Sequence, residues 1–310
     1  MASQQSFNIF VDWGTTNLRA YLVTEHGQCV DELHEQTGVK NLNGKTCQEV
    51  LDVLTSDWRV AHKVRRVLLV GMVGSEIGWT VVPLIEGPCG IAQTSEGLVE
   101  VDAEGFQLVQ IVPGVRTQLR SPATGMMRGE EVQVFGSACA RENKDVLVCL
   151  PGSHSKWVLT RVGEIKGIST FMTGELFQVL REHSVLKDSL ATRGTSIDDH
   201  HFREGLRAVQ SGESILKLMF SVRIEKVCDP VRSNVERLSF LSGALIGAEV
   251  MAGLKGLPDP RDRSIVLVGN GVLARVYGTT FQFFDCNVRT VDVREAFLRG
   301  CQRVIECSSP

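Results

Sequence analysis

Apolar runs separated by a small-residue turn open the chain. Residues 7–13 and 18–23 are largely apolar, and the turn between them runs from Gly14 to Asn17. This pattern predicts a strand, a tight turn and a returning strand, and the Gly27 turn predicts a third antiparallel strand. Gly14 permits close approach of the backbone to a ligand, as in a nest that faces anionic oxygens. An ordinary polar hairpin is the alternative interpretation.

The first turn carries candidate chemistry. Asp12 ends the first predicted strand, where a carboxylate can hold a magnesium ion together with substrate phosphates. Thr15, Thr16 and Asn17 supply hydroxyl and amide groups beside Gly14. The turn therefore predicts a hairpin that binds a nucleotide phosphate.

The opening pattern returns in the second half of the chain. Residues 145–160 again form an apolar run, a glycine turn with hydroxyls, and a second run, and a shift of 138 residues places Gly14 on Gly152 and Thr15 on Ser153. A repeat of this size predicts duplication, with two related domains and two phosphate-facing hairpins across a cleft. Chance similarity of two hairpins is the alternative.

The pattern between the repeats predicts a helix and a buried strand. Residues 46–58 have helical spacing, with Thr46 and Glu49 as a capping box. Residues 66–74 read as a strand buried on both faces, and ligands bind at the carboxyl ends of such strands. Ser75 and Trp79 in the following loop are therefore candidates to line a sugar pocket. A surface loop with Trp79 packed inward is the alternative.

A second candidate site lies at the start of a predicted helix. Arg128, Glu130 and Glu131 follow a polar turn, and two adjacent carboxylates beside an arginine are a good place to seek a general base. Helix capping is the alternative, because carboxylates in a first turn are favoured by the helix dipole.

The second half contains further helices and a late glycine loop. We expect Thr173 to cap a helix, residues 198–201 (DDHH) to form a solvated loop rather than a metal site, and residues 233–254 to form a long buried helix. Residues 264–275 predict a strand, a glycine loop with Gly269 and Gly271, and a helix start. The loop also matches GxGxxA, which invites a dinucleotide-binding interpretation. A dinucleotide fold usually opens with this motif, whereas here the motif lies near the carboxyl end, so the support is weak.

Composition narrows the class of protein. The 310 residues are 43% hydrophobic and 22% charged, which predicts a soluble protein of about two domains. A net charge of -3 with scattered cations predicts no nucleic-acid partner. Nine cysteines without a CxxC pair, and a first segment without a signal pattern, predict a cytoplasmic protein. The apolar run at 240–254 is short for a membrane span and contains Glu249.

The order of these motifs resembles the superfamily of acetate and sugar kinases, heat-shock chaperones and actin. More narrowly, GMVGSEIGW at 71–79, MRGEE at 127–131, LPGSHSKW at 150–157 and TFMTGELF at 170–177 are similar to the 2-dehydro-3-deoxygalactonokinase family. LPGSHSKW and TFMTGELF together are specific to this family. The resemblance implies an α/β fold of two duplicated ribonuclease H-like domains, 1–140 and 141–310, around an interdomain cleft.

The resemblance also implies an activity. It is ATP-dependent phosphorylation of the 6-hydroxyl of 2-dehydro-3-deoxy-D-galactonate in galactonate catabolism. The alternatives are a kinase of another sugar or keto-deoxy sugar acid, an NAD-dependent oxidoreductase and a non-catalytic ATP clamp. A homodimer is an open expectation.

Residue roles follow from the same resemblance. Asp12 would organise magnesium. On chemical grounds, because a nearby carboxylate can accept the proton of the attacking hydroxyl, Glu130 is the expected base, with Glu131 in reserve. Phosphate and adenosine contacts would come from Gly14, Thr15, Thr16, Asn17, Gly152, Ser153, Lys156, Gly269 and Gly271. The substrate carboxylate would be bound by one of Arg128, Arg116, Arg19 and His154. The second hairpin has Leu150 where the superfamily usually carries an aspartate.

Overall fold

The chain divides into two units. The computed structural model describes residues 5–118, 124–137, 145–192, 196–228, 230–255 and 264–308. Unit 1 comprises Met1–Lys144, Val158–Ile168 and Val293–Pro310, and unit 2 comprises Asp145–Trp157 and Ser169–Asp292. The expected domain boundary between residues 140 and 141 lies outside the described residues.

In the part of the chain that the structure describes, single helices separate runs of strands in the first half, and five successive helices follow a three-strand run in the second. The strands are β1 (Ser6–Trp13), β2 (Leu18–Thr24), β3 (Cys29–Glu35), β4 (Lys63–Gly71), β5 (Ile85–Glu86), β6 (Val99–Val101), β7 (Val109–Ile111), β8 (Val115–Gln118), β9 (Thr124–Met127), β10 (Asp145–Leu150), β11 (Ser155–Arg161), β12 (Glu164–Phe171), β13 (Ser264–Val268) and β14 (Val288–Val291). The helices are α1 (Cys47–Ala61), α2 (Ile91–Glu96), α3 (Glu130–Gly136), α4 (Thr173–His183), α5 (Lys187–Leu190), α6 (Asp199–Gln210), α7 (Ile215–Cys228), α8 (Asn234–Leu254), α9 (Gly271–Phe283) and α10 (Val293–Ser308).

Two mixed sheets repeat one strand order. The first runs β3-β2-β1-β4-β7-β6 and the second β12-β11-β10-β13-β14. In the first, β1 pairs antiparallel with β2 and parallel with β4, and in the second β10 pairs parallel with β13. The repeated order confirms the predicted α/β duplication. Because β13 adjoins a meander of three earlier strands, the late glycine loop does not open a dinucleotide-binding fold.

The sheet of unit 1 is covered on both faces. Ile9 and Val11 point into a core shared with α1, whereas Phe10 points into a core shared with α10. This alternation follows from the two-residue period of a strand. The predicted Thr46–Glu49 capping box is present: the Thr46 hydroxyl accepts from the Glu49 amide at 3.2 Å and a Glu49 oxygen accepts from the Thr46 amide at 2.7 Å.

Three sequence-based expectations need correction. Strand β4 ends at Gly71, and residues 72–74 form a 3-10 turn because Gly71 turns the backbone to a φ of +99°. Thr173 is the first residue of α4, and its side chain caps nothing. The segment 198–201 is not a loop, because the Asp198 side chain accepts from the His201 amide and so starts α6.

The predicted long buried helix is α8. Its length and hydropathy would suffice for a membrane span, but two thirds of that stretch is buried within the protein. Residues such as Leu241, Ala244 and Val250 have no exposed surface. Helix α8 is therefore the central core helix of unit 2.

Candidate functional site

The first hairpin of unit 1 encloses a polar cavity. The cavity measures about 240 Å³ and is lined by Asp12, Gly14, Thr15, Thr16, Asn17 and Arg19. Asp12 and Arg19 face each other in register on β1 and β2, and the guanidinium lies 3.5 Å from the carboxylate. The turn thus combines one carboxylate, one guanidinium and several small polar groups.

The turn is braced from behind by the segment that follows β3. Amides of residues 38–40 donate to the carbonyls of Gly14, Thr15 and Thr16 at 2.9–3.1 Å. A Cβ on Gly38 would lie 2.3 Å from the Thr16 nitrogen, so only glycine fits there. By contrast, a Cβ on Gly14 would come no closer than 3.4 Å to its neighbours. The protein's own packing therefore does not require glycine at position 14. A ligand in close contact with the backbone would require it.

Two glycines bring the start of α3 to the same sheet edge. Gly71 closes β4, opposite Trp13 of β1, and Gly129 precedes α3 with a φ of +109°. A Cβ on Gly129 would lie 3.2 Å from the Cα of Gly71. This close approach places Glu130, the first residue of α3, at the end of the strand that carries Asp12.

The electrostatics show that the two carboxylates interact. Burial raises the pKa of Asp12, the Arg19 guanidinium lowers it in part, and the charge of Glu130 raises it again. Burial and then the Glu130 charge raise the pKa of Glu131 to about 8. Both Glu131 oxygens accept from the Gly129 amide, at 2.9 and 2.7 Å, and the residue has no exposed surface. Glu130 is half-buried, so it is the carboxylate of the pair that a ligand can reach.

Arg128 holds the loop that follows β4. Its Nη2 donates to the Val82 carbonyl at 2.8 Å, and its Nη1 is buried with no hydrogen-bond partner among the described residues. In that loop the Ser75 hydroxyl donates to the Met72 carbonyl at 2.7 Å, and Trp79 is half-buried against the hydrophobic core. The loop therefore lies beside the start of α3, with Trp79 directed mainly inward.

Other predicted substrate-binding residues are engaged elsewhere. Arg116 lies on β8, in a separate three-stranded sheet, and its Nε donates to Glu86 at 2.5 Å. The His154 imidazole is hydrogen-bonded to the Glu175 carboxylate in unit 2. Arg19 is paired with Asp12. Each of these three side chains already faces a carboxylate, whereas the Arg128 guanidinium donates to a carbonyl.

The second hairpin, in unit 2, is braced in the same way as the first. A Cβ on Gly174 would lie 2.3 Å from the Gly152 oxygen, and the Glu175 amide donates to the Ser153 carbonyl at 3.0 Å. A Cβ on Gly152 would meet nothing within 4 Å. Lys156 is 7% exposed and donates to the His154 carbonyl at 3.1 Å. The sequence did not predict that Gly38 and Gly174 pack against the hairpin turns, because no local pattern marks them.

An apolar cavity adjoins this second hairpin. It measures about 270 Å³, and its lining includes Gly152, Gly174, Phe177, Leu245, Val272 and Tyr277. Helix α9 begins at Gly271, which has a φ of +55° and open space where a Cβ would lie. Gly269 donates to the Val291 carbonyl at 3.0 Å and so ends β13 beside β14. Unit 2 therefore places a glycine turn, a glycine-led helix and an apolar cavity together, and a flat ring could pack in that cavity.

Comparison with known proteins decides the family. A family model described as 2-keto-3-deoxy-galactonokinase matches residues 12–304. The chain belongs to this family. It is 34% identical over 297 residues to the 2-dehydro-3-deoxygalactonokinase of Escherichia coli K12, with 96% of each chain covered. The predicted family membership is thereby confirmed, and the dinucleotide alternative is not supported.

Solved structures agree with this assignment. A Sinorhizobium meliloti protein, named as a candidate 2-dehydro-3-deoxygalactonokinase, superposes with a TM-score of 0.89 at 30% identity, covering 98% of this chain and 99% of that one. Component A of (R)-2-hydroxyglutaryl-CoA dehydratase from Acidaminococcus fermentans gives a TM-score of 0.51 at 9% identity, covering 98% and 99% of the two chains. The second match shows a shared fold alone.

Proposed function

We propose that the protein is an ATP-dependent kinase that phosphorylates the 6-hydroxyl of 2-dehydro-3-deoxy-D-galactonate. Membership of the 2-keto-3-deoxy-galactonokinase family supports this substrate. The observation that carries the chemistry is the placement of Glu130 beside Asp12, at the edge of the sheet where the first glycine hairpin turns. The base Glu130, the acid Asp12 that would hold a metal, and the polar cavity of the first hairpin therefore lie at one sheet edge of unit 1.

The nucleotide is bound by groups from both hairpins in this proposal. Gly14, Thr15, Thr16 and Asn17 contact the β- and γ-phosphates, and Gly152, Ser153 and Lys156 form the second phosphate site. Gly269 and Gly271 flank the adenosine. Support comes from Gly14 and Gly152, where the protein's own packing would accept a side chain but contact between a ligand and the backbone would be lost. At Gly271 the φ of +55° by itself favours glycine.

A magnesium ion fits the first hairpin. Burial and the Glu130 charge raise the pKa of Asp12 even though Arg19 pairs with it, so a further cation beside the carboxylate would relieve an unfavourable interaction. Asp12 would hold the ion with the nucleotide phosphates as its further ligands. When bound, magnesium supplies neutralisation of phosphate oxygen charge.

Glu130 is the general base in this mechanism. Its carboxylate accepts the proton of the 6-hydroxyl as that oxygen forms a bond to the γ-phosphorus, and the bond from phosphorus to the bridging oxygen breaks to release ADP. Both carboxylates accept from a backbone amide, but Glu131 has no exposed surface and Glu130 is half-buried, so Glu131 does not compete for this role. It fixes the turn that presents Glu130.

Arg128 is our choice for the substrate carboxylate. It is the candidate whose guanidinium is not already paired with an acid, and its Nη1 lacks a partner among the described residues. A guanidinium offers the planar, forked donors that a carboxylate accepts best. Ser75, on the loop that Arg128 holds, donates its hydroxyl proton to the Met72 carbonyl, so its oxygen is the neighbouring acceptor for a substrate hydroxyl.

An ADP-release assay tests the proposal directly. The protein is mixed with ATP, magnesium and a panel of sugars and 2-keto-3-deoxy sugar acids, including both epimers at C4. We expect ADP release to depend on 2-dehydro-3-deoxy-D-galactonate, and NMR of the product to place the phosphate on C6. ADP release that ignores every sugar acid, or a phosphate on another carbon, would contradict the proposal.

A further inference from the structure

A buried carboxylate lies beneath the second hairpin and has no part in the chemistry described so far. Glu249 is on α8 and is 3% exposed. Its Oε1 accepts from the Trp157 indole nitrogen at 2.8 Å, and its Oε2 accepts from the Tyr277 hydroxyl at 2.8 Å. Burying an acid is costly unless its oxygens accept hydrogen bonds, and these two donors supply them.

The hydrogen bonds continue from Tyr277 to the turn. The Tyr277 and Ser155 hydroxyls are 3.1 Å apart, and the Ser155 oxygen lies 3.5 Å from the Gly152 amide. Because the single Tyr277 proton is donated to Glu249, Ser155 must donate to Tyr277 and accept from Gly152. A one-way chain of donors therefore runs from the hairpin turn to the buried acid.

This chain ties together the elements that the nucleotide would touch. Ser155 and Trp157 lie on one face of β11, so Lys156 between them is directed to the other face. Tyr277 lies on α9, the helix that begins at the glycine loop, and it also lines the apolar cavity. Glu249 thus fixes both sides of Lys156 and the helix that carries Gly271.

We propose that Glu249 is a positioning residue for nucleotide binding. It fixes the second hairpin relative to the start of α9. The hairpin can then bind the phosphates of a nucleotide while the start of α9 binds its adenosine. The proposal rests on the kinase function above only in that ATP is the nucleotide. Loss of the Glu249 carboxylate should weaken nucleotide binding far more than it slows phosphoryl transfer.

The decisive variant is Glu249→Gln. Its amide can accept from Trp157 and donate to Tyr277, so the shape is kept while the direction of the chain reverses and Ser155 loses its acceptor. We expect the KM for ATP and the directly measured Kd for ATP to rise about tenfold, with kcat and the KM for the sugar acid changed less than about twofold. Tyr277→Phe should give the same split, and the double variant should be no worse than either single one.

Phe281→Leu is the matched control. Phe281 is fully buried and packs on Trp157 with ring centroids 5.8 Å apart, but it takes no part in the hydrogen bonds. It should lower the melting temperature and leave the Kd for ATP unchanged. An unchanged Kd for ATP in folded Glu249→Gln and Tyr277→Phe, or an equal rise in Phe281→Leu, would overturn the proposal.

The two hypotheses fail in different ways. If no sugar acid is phosphorylated but Glu249→Gln still weakens ATP binding, the proposed function fails and the positioning role stands. If the kinase is active and ATP binding ignores Glu249, only the positioning role fails. Should Glu249→Gln not fold, Tyr277→Phe and Ser155→Ala test the same chain, and normal ATP binding in both would refute it.

Discussion

The two hairpins share a scaffold and differ in where each keeps its acid. Each ends a central strand, and each turn is braced by a glycine that follows the third strand, Gly38 in unit 1 and Gly174 in unit 2. The first hairpin ends with Asp12, paired with Arg19 at the rim of a polar cavity. The second has buried Leu150 at the aligned position.

The same shift aligns Arg19 with Trp157. Arg19 faces the acid of its own hairpin, whereas the partner of Trp157 is Glu249, in the core beneath the turn. The duplicated scaffold therefore supplies one hairpin with an acid that a ligand can reach and the other with an acid that only the protein touches. We infer that both hairpins serve nucleotide binding and that the first also supplies the acid used in catalysis.

The largest expected effect comes from removing the acid of the first hairpin. Asp12→Asn should lower kcat about 10³-fold, equivalent to about 4 kcal/mol, because neutralisation of phosphate charge is lost. Leu150→Met, at the aligned position of the second hairpin, should change kcat less than about twofold because it conserves apolar volume. Steady-state kinetics over a range of magnesium concentrations measure both. Full activity of Asp12→Asn at limiting magnesium would remove the metal role.

Glu130→Gln should follow, with kcat lowered about 10²-fold. The nucleotide Kd should stay nearly unchanged, because the base acts on the acceptor hydroxyl and not on ATP. Glu96→Gln makes the same chemical change on the exposed surface of α2 and serves as the control. Near-normal turnover of Glu130→Gln would exclude this residue as the base.

The braces should matter equally in the two units. In Gly38→Ala and in Gly174→Ala the new Cβ would lie 2.3 Å from hairpin backbone, so the turn must move. We expect each to raise the KM for ATP about tenfold and to cost about 2 kcal/mol of stability. Gly278→Ala on α9, where a Cβ meets nothing within 4 Å, should keep or raise stability. If only one brace matters, the two hairpins are not equivalent supports.

The smallest effect on activity concerns the buried acid of unit 1. The folded protein holds the proton of Glu131 up to about pH 8, whereas an unfolded chain releases it near pH 4.5. Unfolding therefore releases a proton between these values, and stability falls as the pH rises. Glu131→Gln should remove that slope, gaining about 1–3 kcal/mol at pH 8 and nothing near pH 4.5. Denaturant unfolding at several pH values measures it, and parallel pH curves for the two proteins would contradict the pKa shift.

Local patterns in the sequence determined the scaffold. Apolar alternation, glycine turns and the capping box at Thr46 predicted both meanders, α1, the start of α3 and the buried helix α8, since each depends on residues close in the chain. The 138-residue repeat predicted the duplicated strand order. The structure of short polar stretches was harder to predict. We expected a loop at residues 198–201, but they start a helix because the Asp198 side chain caps it.

Only the tertiary structure decided which acids belong together. Glu130 reaches the strand end of Asp12 because Gly71 and Gly129 allow two backbone segments to approach, and a contact between distant segments leaves no local pattern. The same holds for Gly38 beneath the first turn. Glu249 reads as one charge in an apolar run, and its role becomes visible once Trp157 and Tyr277 are folded against it. Periodicity records which face of an element is buried, whereas the partner on that face is set by packing across the chain.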